Sequence, residues 1–194
     1  MITADEMRKL ELDAESGGIT TLQLMENAGK GAAETLAHEQ DLVGKKILVL
    51  AYHGNNGGDG FVMTRYLQEY CETHVWFVGD SKKLTGAALA NHDRLDKNSF
   101  VKGADFSEYN VIIDALLGTG TKGLLKEPLK TLARAWNQSK AFKVALDVPT
   151  GIDPDNGDHD LYFHSDIILT FHDTKPGIVQ FMNHVRVVDI GLNS

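Results

Sequence analysis

The sequence predicts an α/β protein, a three-layer αβα sandwich in which helices cover both faces of a mostly parallel sheet. Short apolar runs rich in β-branched residues alternate along the chain with segments of helical period. Most of these runs are continuously apolar, which is typical of parallel strands buried on both faces. Parallel strands joined through helices are linked by right-handed crossovers, so the expected architecture is Rossmann-like.

Two helices precede the first strand in this prediction. They cover residues 3–16 and 21–38, and Thr20 begins a capping-box pattern at the start of the second helix. Gly29 and Gly31 each weaken the second helix by about 1 kcal/mol relative to alanine. They indicate either close packing against another element or a simple tolerance of glycine, and the sequence does not separate these interpretations.

Six strands and three further helices follow. The strands are expected at residues 46–52, 73–78, 110–116, 142–148, 166–171 and 184–190. The helices between them are expected at residues 59–71, about 84–94 and about 125–138.

The bulk composition fits one globular domain covering residues 1–194. The net charge is −8 and no basic stripe is present, which argues against a general nucleic-acid-binding protein. No apolar run approaches the roughly 20 residues that span a bilayer, and the N-terminal residues lack the apolar core of a signal peptide. Cys71 is the only cysteine, which excludes an intramolecular disulfide and a cysteine-based zinc site. A cytoplasmic location without membrane attachment is therefore expected.

Polar and glycine-rich segments follow four of the predicted strands. Ligands of open α/β sheets bind beyond the carboxyl ends of the strands, so these segments predict a ligand site at that edge of the sheet. The segments are Asn55–Asp59, Asp114 with the following GTGTKG, Asp147 with Thr150, and HDTKPG, which contains Lys175.

The segment GNNGGDG at residues 54–60 is either a turn or a cradle for a charged ligand. A glycine-rich loop between a strand and a helix presents free backbone N–H groups to an anion, whereas Asn-Gly and Asp-Gly are also common turn formers. The spacing matches neither the dinucleotide fingerprint nor the P-loop. The carbonyl of Asn56 suits a hard cation, and Asp59 is expected at the start of the helix, where it would act as a cap.

The next two strand ends each carry an aspartate. Asp114 precedes a loop in which Lys122 either binds phosphate or is merely solvated. Asp147 either takes part in chemistry or stabilises the turn that follows it. Two carboxylates at neighbouring strand ends could share a cation or divide acid and base roles. Lys175 is catalytic, phosphate-binding or simply exposed, and the sequence does not choose among the three.

Other kinds of site have little support. The acidic residues 153–160 suggest a calcium loop, but His164 stands where the loop needs a bidentate glutamate, so a solvated turn is expected. The eight histidines form no H-x-x-x-H pair, which disfavours a zinc site. The absence of a G-x-S-x-G motif disfavours a serine nucleophile.

Several segments, in order along the chain, resemble the YjeF N-terminal domain family. They are GNNGGDG (54–60), DALLGTG (114–120), LDVPTGID (146–153), LTFHDTKPG (169–177) and VVDIGL (187–192). The segments TADEMRKLELD (3–13) and LMENAGKGAAETL (24–36) resemble the first two helices of that family, so the resemblance covers nearly the whole chain.

The best-known members of this family are NAD(P)H-hydrate epimerases, which interconvert the R and S epimers of NADHX and NADPHX. The resemblance implies the same isomerase activity here, in the repair of hydrated nicotinamide nucleotides. It also implies that a separate dehydratase returns the S epimer to NAD(P)H and that the protein forms a homodimer. The domain prediction is a single domain over residues 1–194 without a fused dehydratase domain.

The functional positions of the family carry over residue by residue. Asn56, Asp114 and Thr150 are the implied ligands of a potassium ion. Asp147 is implied to contact the substrate near the reacting ring, and we predict that it is the acid/base, with Lys175 as a helper. The implied substrate-binding residues are Asn55, Asn56, Gly57, Gly58, Asp59, Gly118, Thr119, Gly120, Thr121, Lys122, Gly123, Leu124 and Asp147.

Three features depart from the pattern of the family. Tyr52 and His53 stand where many members carry small residues, which could narrow the pocket or supply a stacking ring. Thr150 replaces the usual serine, and Asp-Thr precedes Lys175 where a proline is common. Two hypotheses compete with the epimerase: a non-catalytic binding or scaffold protein on the same fold, and a nucleotide hydrolase, for which the P-loop and the nucleophile are missing.

Overall fold

One sheet of parallel strands forms the middle layer of the molecule. The computed structural model describes residues 1–192. Its strands are β1 (Lys46–Ala51), β2 (Glu72–Phe77), β3 (Phe100–Val101), β4 (Val111–Ala115), β5 (Phe142–Leu146), β6 (Ile167–Phe171) and β7 (Val185–Val188). Every neighbouring pair is parallel, and the order across the sheet is β3-β2-β1-β4-β5-β6-β7.

The α-helices flank this sheet, which confirms the three-layer α/β architecture. They are α1 (Ala4–Ser16), α2 (Thr21–Glu39), α3 (Asn55–Leu67), α4 (Gly86–His92) and α5 (Leu129–Gln138). Capping boxes begin both α1, at Thr3 and Glu6, and α2, at Thr20 and Gln23. Within residues 1–192, no helix combines the length and the apolar character needed to cross a membrane.

Each face of the sheet carries its own apolar core. On one face, Val49 and Ile113 pack with side chains from α2 and α3. On the other face, Leu48 and Ile112 pack with Trp136 of α5. The alternation of odd and even strand residues between the two cores is what a sheet buried on both faces requires. The strand order reverses at β1, which lies between β2 and β4, and this reversal opens a crevice at the carboxyl ends of the strands.

Close packing explains the two glycines of α2. A methyl group on Gly29 would lie 2.6 Å from the carbonyl oxygen of Asp59 in α3, and one on Gly31 would lie 2.6 Å from Cγ1 of Val188. Both distances are shorter than real side chains tolerate, so glycine allows α2 to approach α3 and β7. Of the two interpretations of these glycines, close packing is correct.

Several predicted boundaries differ from the structure. The helix expected at about 125–138 begins at Leu129, and the strands expected at 142–148 and 184–190 end at Leu146 and Val188. The helix expected at residues 59–71 begins at Asn55, so GNNGGDG forms the first turns of α3 rather than a loop before it. Its glycines disfavour a helix locally, but tertiary packing overrides that preference because Gly58 lies against Met25 and Gly60 against Ala115. The two-residue strand β3 carries too little pattern to be recognised and was not predicted.

Candidate active site

A cavity of about 350 Å³ lies at the reversal point of the sheet. Segments that follow four different strands line it, which places it where open α/β folds bind ligands. The residues contributed by these segments are Tyr52–Asn56 after β1, Leu116, Leu117, Thr119 and Gly120 after β4, Asp147 after β5, and Lys175 after β6.

The N-terminus of α3 forms one wall of this cavity. Gly54 precedes the helix and makes no side-chain capping bond, so the first backbone N–H groups have no acceptor within the helix. A side chain on Gly57 would collide with the backbone of Tyr52, so only glycine lets the helix begin this close to the end of β1. Free N–H groups and the helix dipole together favour an anionic group at this wall.

The side chain of Asn56 is buried without a partner. Neither its amide nitrogen nor its amide oxygen has a hydrogen-bond partner within residues 1–192. Gly118, at a left-handed φ of 52°, lies directly against it, because a methyl group there would be 2.9 Å from Cγ of Asn56. An unpaired buried amide is costly, so this side chain is arranged for a group that the protein itself does not supply.

Asp114 is fully buried near the end of β4, and the loop that carries Thr150 holds it there. Its carboxylate accepts hydrogen bonds from the Thr150 backbone N–H at 2.8 Å, the Thr150 hydroxyl at 2.8 Å and the Leu116 N–H at 3.1 Å. Burial raises its pKa to about 6, and these hydrogen bonds oppose that rise. The Thr150 hydroxyl also accepts the N–H of Leu117 at 3.1 Å, so the two loops are joined through one side chain.

These three residues fit a hard monovalent cation. The unpartnered carbonyl oxygen of Asn56, the carboxylate of Asp114 and the hydroxyl of Thr150 are all oxygen donors, the type that such cations prefer. The hydroxyl donates one hydrogen bond and accepts one, which leaves a lone pair free. A cation would also satisfy the orphaned Asn56 oxygen and balance a buried carboxylate.

Asp147 faces the cavity from an unusual backbone conformation. It follows β5 with φ of 65°, a left-handed value that aspartate adopts more readily than most residues. Its backbone N–H donates to Leu169 at 2.8 Å, and its carboxylate accepts the Thr119 N–H at 3.2 Å. Because both ends of the residue are fixed by neighbouring segments, the carboxylate is held at one position in the cavity.

Lys175 neutralises Asp147 from a fully buried position. Its ammonium group lies 2.6 Å from Oδ1 of Asp147, 2.7 Å from the carbonyl oxygen of Phe171 and 3.2 Å from the hydroxyl of Thr170. An ammonium group has three donors, so all of them are occupied by the protein. Of the three roles that the sequence left open, simple exposure is wrong, since Lys175 is 0% exposed.

Two more carboxyl groups surround this ion pair. Burial, together with the negative charges of Asp147 and Glu11, raises the pKa of Asp59 well above its usual value. Burial and the charge of Asp147 likewise raise the pKa of Glu11, which lies on α1. Lys175 opposes both shifts and Arg8 opposes that of Glu11, but the cavity lining has three carboxyl groups and two cationic side chains, an excess of acid.

The structure brings together part of the predicted substrate-binding set. Asn55, Asn56, Asp59, Thr119, Gly120 and Asp147 line the cavity. Asp59 is the fifth residue of α3 and Gly54 is the N-cap, so the expectation that Asp59 starts and caps the helix is wrong. The helix starts earlier because its glycines pack against neighbouring elements.

Other predicted residues lie outside the cavity wall. Gly57, Gly58 and Gly118 are packed behind it, where they set the approach of backbone segments. Thr121 is buried, while Lys122, Gly123 and Leu124 are exposed and do not line the cavity. The phosphate-closing role of this loop therefore stays a prediction.

Sequence reasoning missed the contribution of α1. Ala4, Met7, Arg8 and Glu11 line the cavity and follow the i, i+3, i+4, i+7 spacing of one helix face. That spacing was visible, but the face mixes apolar and charged residues and so gave no sign of its partner. Tyr52 and His53 also line the cavity, with ring centroids 4.0 Å apart.

The chain is similar to known proteins over most of its length. The family model for the YjeF-related protein N-terminus matches residues 21–177. The chain is 39% identical over 98% of its length to a bifunctional NAD(P)H-hydrate repair enzyme of Archaeoglobus fulgidus, of which it covers 41%. It is 36% identical over 91% of its length to an NAD(P)H-hydrate epimerase of Nitrosopumilus maritimus, of which it covers 87%.

A solved structure supports the same fold. The crystal structure of a yeast protein superposes with a TM-score of 0.83, covering 96% of this chain and 86% of the yeast chain, at 23% identity. An NAD(P)H-hydrate epimerase of Elusimicrobium minutum is 33% identical to this chain over 98% of its length and is covered to 95%. The chain thus spans less than half of the Archaeoglobus relative but nearly all of the shorter ones. On the extent of the family match and these identities, the chain belongs to the YjeF N-terminal family.

Proposed function

We propose that this protein is an NAD(P)H-hydrate epimerase that interconverts the R and S epimers of NADHX and NADPHX. The observation that carries the proposal is the cavity-facing carboxylate of Asp147, paired with a buried lysine opposite the open N-terminus of a helix. The helix end suits the pyrophosphate of a dinucleotide. The carboxylate suits proton transfer at the hydrated ring, and relatives carrying this activity in their names support the assignment.

The two halves of the substrate would bind at different parts of the cavity. The free N–H groups at the start of α3 would hold the pyrophosphate, and the backbone around Gly120 would approach it from the β4 side. The hydrated nicotinamide ring would then lie next to Asp147, and the side chain of Tyr52, which also lines the cavity, would lie beside the ligand. An aromatic side chain at that position offers a stacking surface for a planar or near-planar ring.

Epimerisation requires the carbon that bears the hydroxyl to lose a bond and regain it on the opposite face. In the ring-opening route, Asp147 removes the hydroxyl proton, the C–O bond becomes a carbonyl, and the bond between this carbon and the ring nitrogen breaks. The electron pair moves to the nitrogen, which takes the proton that Asp147 had removed. After rotation, the nitrogen attacks the other face of the carbonyl carbon, and Asp147 takes the proton from the nitrogen and returns it to the oxygen, which regenerates the hydroxyl.

Lys175 acts on this step through Asp147 rather than by touching the substrate. Its three donors are used by Asp147, Thr170 and Phe171, so it has none left for a ligand. It holds the carboxylate in place and compensates its charge, since both side chains are largely buried. We therefore propose a positioning role for Lys175 and a catalytic one for Asp147.

A potassium ion would be held by Asn56, Asp114 and Thr150. Bound there, the ion would order the two loops through its positive charge. It would take no part in the proton transfer. The buried and unpartnered amide of Asn56 is the observation that favours such an ion.

The direct test mixes the purified protein with (R)-NADHX and a separate S-specific dehydratase, and follows the recovery of NADH. We expect recovery to be much faster than with the dehydratase alone, which depends on spontaneous epimerisation. Equal rates with and without the protein would overturn the proposal and favour a binding or scaffold role on the same fold. Parallel assays with (R)-NADPHX measure the preference between the two substrates.

The products would pass to a dehydratase, which acts on the S epimer. The Archaeoglobus relative is named a bifunctional repair enzyme, which supports a close relation between the two activities. The homodimer implied by the family resemblance stays a prediction, and light scattering on the purified protein measures it.

A further inference from the structure

Helix α1 forms a wall of the cavity that the predicted functional positions do not include. Its residues Ala4, Met7, Arg8 and Glu11 face the cavity in one stripe. The first residues of the chain are attached to the segment that carries Lys175, because the N–H of Ile2 donates to the carbonyl of Thr174 at 3.0 Å. Helix α1 is therefore a fixed part of the site rather than a neighbouring surface element.

Glu11 brings an unused acceptor into this wall. Its side chain is partly buried, and among residues 1–192 no hydrogen bond or ion pair satisfies its carboxylate. The nearest charged residue of the same helix face, Arg8, is ion-paired with Asp5 at 3.1 Å. A carboxylate that is removed from much of the solvent and left without a donor is costly unless a ligand supplies one.

The other groups of the cavity cannot satisfy Glu11. The single ammonium group nearby, that of Lys175, has its three donors occupied. Asp147 and Asp59 are themselves acids, and the negative charge of Asp147 disfavours that of Glu11 and so raises its pKa. Apart from Arg8, whose guanidinium pairs with Asp5 through one nitrogen, the residues around Glu11 are mainly carboxyl acceptors, whereas the start of α3 offers free N–H groups and no acid in its first turn. The two ends of the cavity are complementary to different halves of a ligand.

We propose that Glu11 is a ligand-binding residue that accepts hydrogen bonds from hydroxyl or amide N–H groups of the hydrated nicotinamide riboside half of the ligand. The inference rests on the proposed function, because that function gives the ligand a half rich in such donors. A phosphate would be repelled by the carboxylates of Asp147 and Glu11 and is better placed at the N-terminus of α3. Glu11 would therefore also fix which way round the dinucleotide lies in the cavity.

The test compares Glu11→Ala and Glu11→Gln with the matched variant Asp13→Asn, which removes a charge from an exposed position of the same helix. The KM for (R)-NADHX is measured in the dehydratase-coupled assay, and the melting temperature of each variant reports folding. We expect Glu11→Ala to raise KM about tenfold or more, the factor produced by losing a hydrogen bond to a charged group. Glu11→Gln keeps one carbonyl acceptor and should give a smaller increase, while Asp13→Asn should match the wild type.

A second measurement is independent of turnover. The increase in melting temperature caused by NADH is compared with that caused by ADP, which lacks the nicotinamide riboside half. Glu11→Ala should reduce the NADH effect and leave the ADP effect unchanged.

The outcomes separate the two proposals. An active wild type whose KM is unchanged or lowered in Glu11→Ala would overturn the role of Glu11, because a merely repulsive carboxylate predicts tighter binding of an anionic ligand when it is removed. A wild type without epimerase activity would overturn the proposed function, and the NADH and ADP measurements would then still decide whether Glu11 binds the riboside half. Absence of both activity and NADH stabilisation would overturn both.

Discussion

Asp114 and Asp147 follow neighbouring parallel strands, yet the fold gives them different environments. Asp114 lies within β4 and pairs in register with Ala145, so it is fully buried and accepts three hydrogen bonds from loop residues. Asp147 lies two residues beyond Ala145, in a left-handed conformation, and faces the cavity beside Lys175. One carboxylate ties loops together, and the other is open to a ligand. A short distance along the chain therefore separates a fully buried acid from one that faces the cavity.

The largest expected effect is on activity and comes from Asp147→Asn. Asparagine keeps the shape and tolerates the left-handed backbone, but it cannot take a proton from the substrate. We expect the epimerisation rate to fall by about a hundredfold to ten-thousandfold, the usual contribution of a general acid/base. The coupled NADH-recovery assay measures the rate, with the exposed Asp158→Asn as the matched control. Full activity in Asp147→Asn would place the acid/base elsewhere, with Asp59 as the next candidate.

The Lys175→Met variant tests how strongly the fold depends on the ion pair between Lys175 and the Asp147 carboxylate. Removing one member of a buried ion pair costs about 3–5 kcal/mol, because it leaves the other charge uncompensated. Urea unfolding of this variant and of Lys122→Met, whose side chain is exposed, measures the difference in the free energy of unfolding. An unchanged free energy of unfolding in Lys175→Met would contradict the buried ion pair on which the positioning role rests.

Asp114→Asn should have a smaller effect on stability and an indirect effect on activity. The amide NH₂ of asparagine would face the donors of Thr150 or Leu116, and each unsatisfied buried group costs about 1–3 kcal/mol. Replacing tetramethylammonium by potassium should raise the melting temperature of the wild type. The same exchange should leave the melting temperature of Asp114→Asn unchanged. An equal potassium effect in both proteins would contradict the proposed cation site.

Glu11→Gln should give the smallest change, seen in the pH dependence of stability. The pKa of Glu11 is higher in the folded protein than in the unfolded chain, because of burial and the charge of Asp147. The folded state therefore holds this proton more tightly, and stability is lost as the pH rises from the unfolded pKa through the folded one. Glu11→Gln removes that loss, so its stability curve should be flatter above about pH 4.5 than that of the wild type. Parallel curves would show that folding does not raise the pKa of Glu11.

Much of this arrangement could be predicted from the sequence, because strand periodicity and strand-end residues are local signals. The strand ends bearing Asn56, Asp114 and Asp147 were located in this way. The left-handed φ of Asp147 and its pairing with Lys175 were not predictable, since the two residues are brought together by β6 and by the turn after it. The direction in which α1 faces also depends on long-range packing, which is why Glu11 gave no signal.

The start of α3 shows the limit of local reasoning. Asparagine and glycine disfavour a helix when considered alone, so residues 55–58 were predicted as a loop. The structure stabilises a helix there through contacts with Met25 and Ala115, which are far away in the sequence. That helix start places the first N–H groups of α3 at the wall of the cavity.

The reversal of strand order at β1 has a consequence for the order of events in folding. One side of the cavity comes from residues 1–59 and the other from residues 116–175, and these meet only when β1 pairs with β4. Pairing of segments this distant in sequence is a slow step, because closing the intervening chain costs entropy before contacts reward it. The capacity to bind a ligand should therefore appear late, after most helical structure has formed. A fluorescent nucleotide added during refolding would then report the docking of the two halves rather than the formation of either one.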